Sequence, residues 1–116
     1  MKENIIKDKS FAFAIRVVKL ARYLQSERKE FVLSRQVLRS GTAIGALVRE
    51  AEHAESKADF IHKMSIALKE ANETLYWLEL FYQSDYITDQ SFASIQPDSE
   101  ELVKLLVSIV KTSKGK

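Results

Sequence analysis

The stretch SKADFIHKMSIALKEANETLYWLELFYQS, residues 56–84, decides the fold class. Phe60, Met64, Ala67, Leu68, Ala71, Leu75, Leu78 and Tyr82 recur every three or four positions, which lines them along one side of an α-helix. Neither Gly nor Pro interrupts the run. Ser56 stands where a hydroxyl accepts the amide proton three residues on, and Asp59 suits the positive end of the helix dipole. The pattern predicts a helix over 57–84. One apolar seam of this length has to be buried against other helices.

Those neighbours are legible on both sides. Upstream, Val37, Leu38, Gly41, Ile44, Gly45, Val48 and Ala51 predict a helix over 34–53, with Ser34 as its expected N-cap. Its centre, Ser40-Gly41-Thr42-Ala43-Ile44-Gly45-Ala46, is almost all small residues. Two interior glycines cost about 1 kcal/mol each in helix propensity. Ser40, Gly41, Ile44 and Gly45 therefore read as a packing motif that lets one neighbouring helix come unusually close. A kink or break at Gly41 is the alternative. Further upstream, two interleaved series predict a helix over 8–25: Phe11, Ala14, Ile15, Val18 and Ala21, and Phe13, Val17, Leu20 and Leu24. So broad a stripe faces more than one partner, within a bundle or between subunits. Downstream, Thr88 as N-cap and Phe92, Ile95, Leu102, Leu105, Leu106, Ile109 and Val110 predict a helix over 88–112. Pro97 falls inside it, so a kink, or a separate short helix before it, is expected there.

Short connections make consecutive helices antiparallel. The expectation is an all-α, antiparallel up-and-down four-helix bundle forming a single domain over 1–116. Composition agrees: 116 residues, 46% hydrophobic and 29% charged, with three Gly and one Pro, too few for the turns of an all-β domain. There is no Cys, which excludes disulfides and thiolate chemistry and allows a reducing compartment. Met1 to Ser10 carries no apolar signal run, and no stretch approaches a membrane span. A cytoplasmic protein with no membrane contact is expected.

Glu50-Ala51-Glu52-His53 and Asp59-Phe60-Ile61-His62 resemble fragments of a di-metal bundle site, but they flank one connection rather than face each other in a core. They read as solvated helix ends, so no metal and no cofactor are expected. Glu70 and Glu73, one turn apart and followed by Trp77, lack a visible acid–base partner and read as a solvated or interface strip beside Lys63 and Lys69. No nucleophile elbow, P-loop or dinucleotide fingerprint occurs, and no catalytic residue is assigned.

Charge is uneven. Residues 1–57 hold 12 Lys/Arg against 7 Asp/Glu, while residues 58–116 hold 6 against 9. Arg16, Lys19 and Arg22 line the first helix, Arg35, Arg39 and Arg49 the second, and Lys57 follows. Arginine's planar fork suits phosphate, so these seven are the candidate nucleic-acid contacts, made to backbone rather than bases. An ordinary solvated face is the competing reading. Trp77, Phe81 and Tyr86 fall partly off the apolar seam and are candidate oligomer-interface residues.

Arg39-Ser40-Gly41-Thr42-Ala43-Ile44-Gly45-Ala46 followed by Arg49-Glu50-Ala51 resembles the central motif of the bacterial four-helix bundle family of 23S rRNA-intervening-sequence proteins. Ser56 to Thr74 with Tyr76-Trp77-Leu78 resembles its second motif, and the likeness covers nearly the whole chain. The resemblance implies an up-and-down bundle that assembles as a homopentamer. It brings no firm biochemical activity, and the family's name refers to where such genes lie. Accessory proteins of diversity-generating retroelements are similar, and use a positively charged pentamer surface with a reverse transcriptase and nucleic acid. Pro97 departs from the unbroken fourth helix the family implies. The expectation is a non-enzymatic homo-oligomer that binds RNA or a ribonucleoprotein. The alternative is a protein-interaction module with no nucleic-acid affinity.

Overall fold

The computed structural model describes residues 2–115, with side chains from residue 5 onward. It contains four helices: α1 (Lys2–Ser26), α2 (Leu33–Ala51), α3 (Lys57–Gln83) and α4 (Asp89–Lys114). A helix of 25 residues is about 37 Å long. Connections of five or six residues cannot return along that length, so each helix runs antiparallel to the one before. α1–α2, α2–α3 and α3–α4 meet along long seams, and α1 closes the square against α4 over a much shorter one. The bundle measures 46 × 21 × 19 Å.

α1 begins well before the expected Asp8. Ile6 is the reason: it is wholly buried and extends the series Phe13, Val17 and Leu24 by two turns. The other arm of the α1 stripe is covered only in part: Ala21 is buried, but Phe11 and Ile15 remain 52% and 44% exposed. The core is filled by Ile6, Phe13, Leu24, Ile44, Met64, Leu78, Phe81, Leu102 and Leu106, all essentially inaccessible.

α2 runs unbroken through both glycines. A Cβ on Gly41 would lie 2.7 Å from both Val17 methyls, so α1 and α2 approach there as only glycine allows. At Gly45 the nearest atom would be Ser10 Oγ at 3.4 Å, an ordinary contact. On the adjoining inner side α2 touches α3 through a buried hydrogen bond between Thr74 Oγ1 and Ser40 Oγ, 2.9 Å long.

Ser34 is not the N-cap of α2, contrary to expectation. The helix starts one residue earlier, and Ser34 is buried within its first turn. The Glu30 carboxylate takes the orphan amides instead, accepting from Val32 (3.2 Å), Leu33 (3.0 Å) and Ser34 (2.7 Å). The caps of α3 and α4 are those the sequence predicts. Ser56 Oγ accepts from the Asp59 amide and Thr88 Oγ1 from the Ser91 amide, each at 3.0 Å. Two residues past the end of α3, the left-handed φ of 68° at Asp85 lets the Tyr86 amide reach the Phe81 carbonyl (2.8 Å).

Pro97 neither breaks α4 nor splits off a short helix. The Arg16 guanidinium lies across the turn that contains it, donating to the Ser94 carbonyl (2.9 Å), Ser94 Oγ (2.7 Å) and Asp98 Oδ2 (2.7 Å). Proline removes the amide that would serve the Ala93 carbonyl, and the Arg16 bonds tie the adjoining Ser94 and Asp98 to α1.

Candidate nucleic-acid interface

The seven candidate cations divide into those held by the protein and those left free. Arg16 is held on α4, as described. Arg39 is forked between two α3 carboxylates: Nη1 reaches Glu70 Oε2 (3.2 Å), and Nη2 reaches Glu73 Oε1 (2.9 Å) and Oε2 (2.8 Å). Its hydrogen bonds to Glu70 and then to Glu73 hold the Arg39 guanidinium above its ordinary pKa. The Trp77 indole N–H also donates to Glu73 Oε2 (2.9 Å), and this bond, with Arg39, keeps the Glu73 carboxyl below the usual range despite partial desolvation. The Glu70–Glu73 pair is thereby accounted for as one ion-pair cluster that ties α3 to α2. Arg49 stacks on Phe11, its Cζ 5.0 Å from the ring centroid.

Lys19 and Arg22 on α1, Arg35 on α2 and Lys57 at the start of α3 are exposed, and none of them has a carboxylate partner among the described residues. The paired cations are Lys7, Lys9, Arg16, Arg39 and Lys63. The free positive charge of the candidate set therefore lies mostly on the outer sides of α1 and α2.

Two depressions border these charges. The larger, about 430 Å³, opens between α1 and α4 where their seam is short. Arg16, Lys19 and Tyr23 form its α1 wall, Ser91 and Ser94 its α4 wall, with Leu20, Ile87 and Ile95 beneath. The other, about 300 Å³, is a shallow recess between α1 and α2 where Phe11 and Arg49 overhang Ala14, Thr42, Gly45 and Ala46.

The candidate interface aromatics fare unequally. Phe81 has no exposed surface and belongs to the core, so it has nothing to offer another copy. Tyr86 is half-buried against Phe81, with Arg28 stacked 5.1 Å from its ring centroid. Trp77 is half-buried and tethered to Glu73. Tyr76, 58% exposed, is the aromatic that α3 presents to solvent.

Tyr23 and Tyr76 are exposed aromatics outside the candidate set. Tyr23 follows Arg16 and Lys19 at i+7 and i+4, which puts it on the same side of α1, so the signal was present. Tyr76 follows Lys69 by seven residues on the outer line of α3.

His53 and His62 are both exposed, and Glu50 is paired with Lys63 (2.9 Å). Asp59 accepts from the Glu55 amide (3.1 Å). Among the described residues no three His, Asp or Glu side chains converge as a metal site, and no helix is long and apolar enough to cross a membrane.

Known proteins show the same architecture. No curated protein matches this chain in sequence. A solved protein of unknown function from the S23 ribosomal protein family of Bacteroides thetaiotaomicron VPI-5482 is 60% identical, spans 96% of this chain and 99% of its own, and superposes with a TM-score of 0.93. The sequence profile described as 23S rRNA-intervening sequence protein matches residues 2–108. With a match of that extent behind the two motifs around Gly41 and Phe60, the chain belongs to the 23S rRNA-intervening sequence protein family.

Proposed function

We propose that this protein is a non-catalytic, self-associating helical bundle of the cytoplasm that binds RNA, alone or within a ribonucleoprotein, through the outer sides of α1 and α2. One observation carries the reading. Lys19, Arg22 and Arg35 are exposed on adjacent helices with no carboxylate partner among the described residues, whereas the exposed lysines of α3 and α4 share those helices with the exposed carboxylates Glu79 and Glu100. A surface of unpaired cations attracts phosphates without reading bases. Filter binding to a structured RNA tests it. Binding at low salt that weakens steadily as salt rises is the expected result, and negligible affinity at low salt rejects it.

Self-association rests on other residues. Phe11 and Ile15 stand one turn apart on α1, each close to half exposed, beside the recess under Arg49. The family resemblance sets the expected assembly at five copies. Light scattering on the wild type and on Phe11→Ser/Ile15→Ser measures this. The expected result is a pentamer mass that falls on substitution, and a wild-type monomer rejects it.

The same exposed apolar residues favour a second reading, a protein-interaction module whose surface docks a partner protein. It predicts a multimer with no salt-sensitive RNA affinity.

A further inference from the structure

We propose that the groove between α1 and α4 seats one nucleotide unit, with its base on the apolar floor against Tyr23 and its phosphate at Lys19 and Arg16. The inference rests on the RNA-binding reading above and supplies it with a subsite.

The groove's size fits. At about 430 Å³ it falls within the range of small-molecule sites and is larger than a single amino-acid side chain requires. Its floor fits a planar ring. Leu20, Ile87 and Ile95 are apolar, and the two isoleucines are 5% and 6% exposed, so they present a fixed surface. Tyr23 stands at the lip, 40% exposed, with a ring that a base can stack on.

The polar groups also fit. Lys19 is exposed and has no carboxylate partner among the described residues, so its charge is available to a phosphate. Arg16 is fixed in place by Ser94 and Asp98. Those bonds use three of its five N–H donors and leave two. A guanidinium already immobilised loses little freedom when it binds an anion. Asp98 offsets part of its charge, so Lys19 supplies the site's net positive charge. Ser91 Oγ accepts from Thr88 Oγ1 (3.1 Å) and keeps its own proton to donate. A cation beside an aromatic lip and an apolar floor matches a base linked to a phosphate. An acidic peptide would use the cations and leave the floor idle.

The nucleotide can come from an RNA strand or be free in solution. Fluorescence anisotropy with a 12-nucleotide oligouridylate and with a duplex of equal length addresses the strand. NMR of the Ile87 and Ile95 methyls with UMP alone addresses the free nucleotide. Tyr23 is exposed, so Tyr23→Ala is compatible with folding, and a melting curve checks that.

For the wild type we expect the oligouridylate to bind better than the duplex, and UMP to shift both methyls. Tyr23→Ala should weaken oligouridylate binding by about tenfold, and Tyr23→Phe should keep it. Lys19→Ala should lower the salt slope by about one phosphate's worth. If the wild type binds RNA but Tyr23→Ala is unaffected and UMP shifts neither methyl, the groove is wrong while the RNA reading stands. If UMP shifts the methyls but no RNA binds, the RNA reading fails and the groove takes a free nucleotide. Silence in both arms overturns both. Loss of the oligomer in Tyr23→Ala means another copy covers the groove, which also overturns the proposal.

Discussion

Gly41 and Gly45 are both interior to α2, yet substitution should move stability in opposite directions. Alanine at either position gains about 1 kcal/mol in helix propensity. At Gly41 the new methyl would meet Val17 at 2.7 Å, and Val17 is fully buried and β-branched, so it cannot swing away cheaply. Overpacking of this kind costs roughly 1–3 kcal/mol, so Gly41→Ala should lower the urea midpoint. At Gly45 the contacts would be 3.4–3.6 Å, which a methyl tolerates, so Gly45→Ala should raise it. Glu30 gives a pH signature. Burial pushes its carboxyl up, but the amides of Leu33, Ser34 and Val32 together outweigh this and hold it below its ordinary value of 4.5. A lowered folded pKa means the cap contributes fully above the ordinary carboxylate range and is lost as pH falls through the folded value. Glu30→Gln should therefore destabilise by about 1–2 kcal/mol at pH 7, and by much less once the pH is well below 4.5. Urea melts at the two pH values measure the difference.

At the scale of the element, α4 is the helix whose local chemistry conflicts with its structure. Pro97 argues for a break, yet the helix continues, with Ser94 and Asp98 bonded to Arg16 of α1 and with Ile95, Leu102 and Leu106 buried on its inner side. Arg16→Ala should therefore speed amide exchange around residues 94–98 by about tenfold while leaving α2 and α3 unchanged. Equal change across all four helices would show that Arg16 supports the fold generally instead. The starts of α3 and α4 were legible because Ser56 and Thr88 cap amides three residues away, a short-range rule. The start of α2 was not. Its acceptor, Glu30, lies in a connection shaped by Lys29 at a φ of 56°, and no spacing in the sequence announces that turn. The close helix contact was legible from the small-residue run, but not that Gly41 alone requires it, since that depends on which residue α1 places opposite.

At the scale of the molecule, four seams and a single core followed from apolar spacing, because burial is what the spacing encodes. The outer surface was harder to read. Lys19 and Arg22 look like Arg16 and Arg39 in sequence, yet the latter two are engaged by Asp98 and by Glu70 and Glu73, partners on helices distant in the chain. Phe81 looked like an outward aromatic and is core, because the wide inner side of α3 faces both α2 and α4. The charge imbalance between the chain's halves survives folding as a difference in net charge between sides: free cations stand on all four helices, and exposed Glu79 and Glu100 offset those of α3 and α4. Exposed Lys104 and Lys111 on α4 provide an internal control for total charge. The most direct test is the salt dependence of RNA affinity. Removal of three phosphate contacts should reduce the slope of log affinity against log salt by about 2–3. Lys19→Ala/Arg22→Ala/Arg35→Ala should show that loss of slope and bind more weakly at low salt, while Lys104→Ala/Lys111→Ala should resemble the wild type. Equal slopes in all three proteins, or an equal loss in both variants, would contradict the assignment of the RNA surface to α1 and α2.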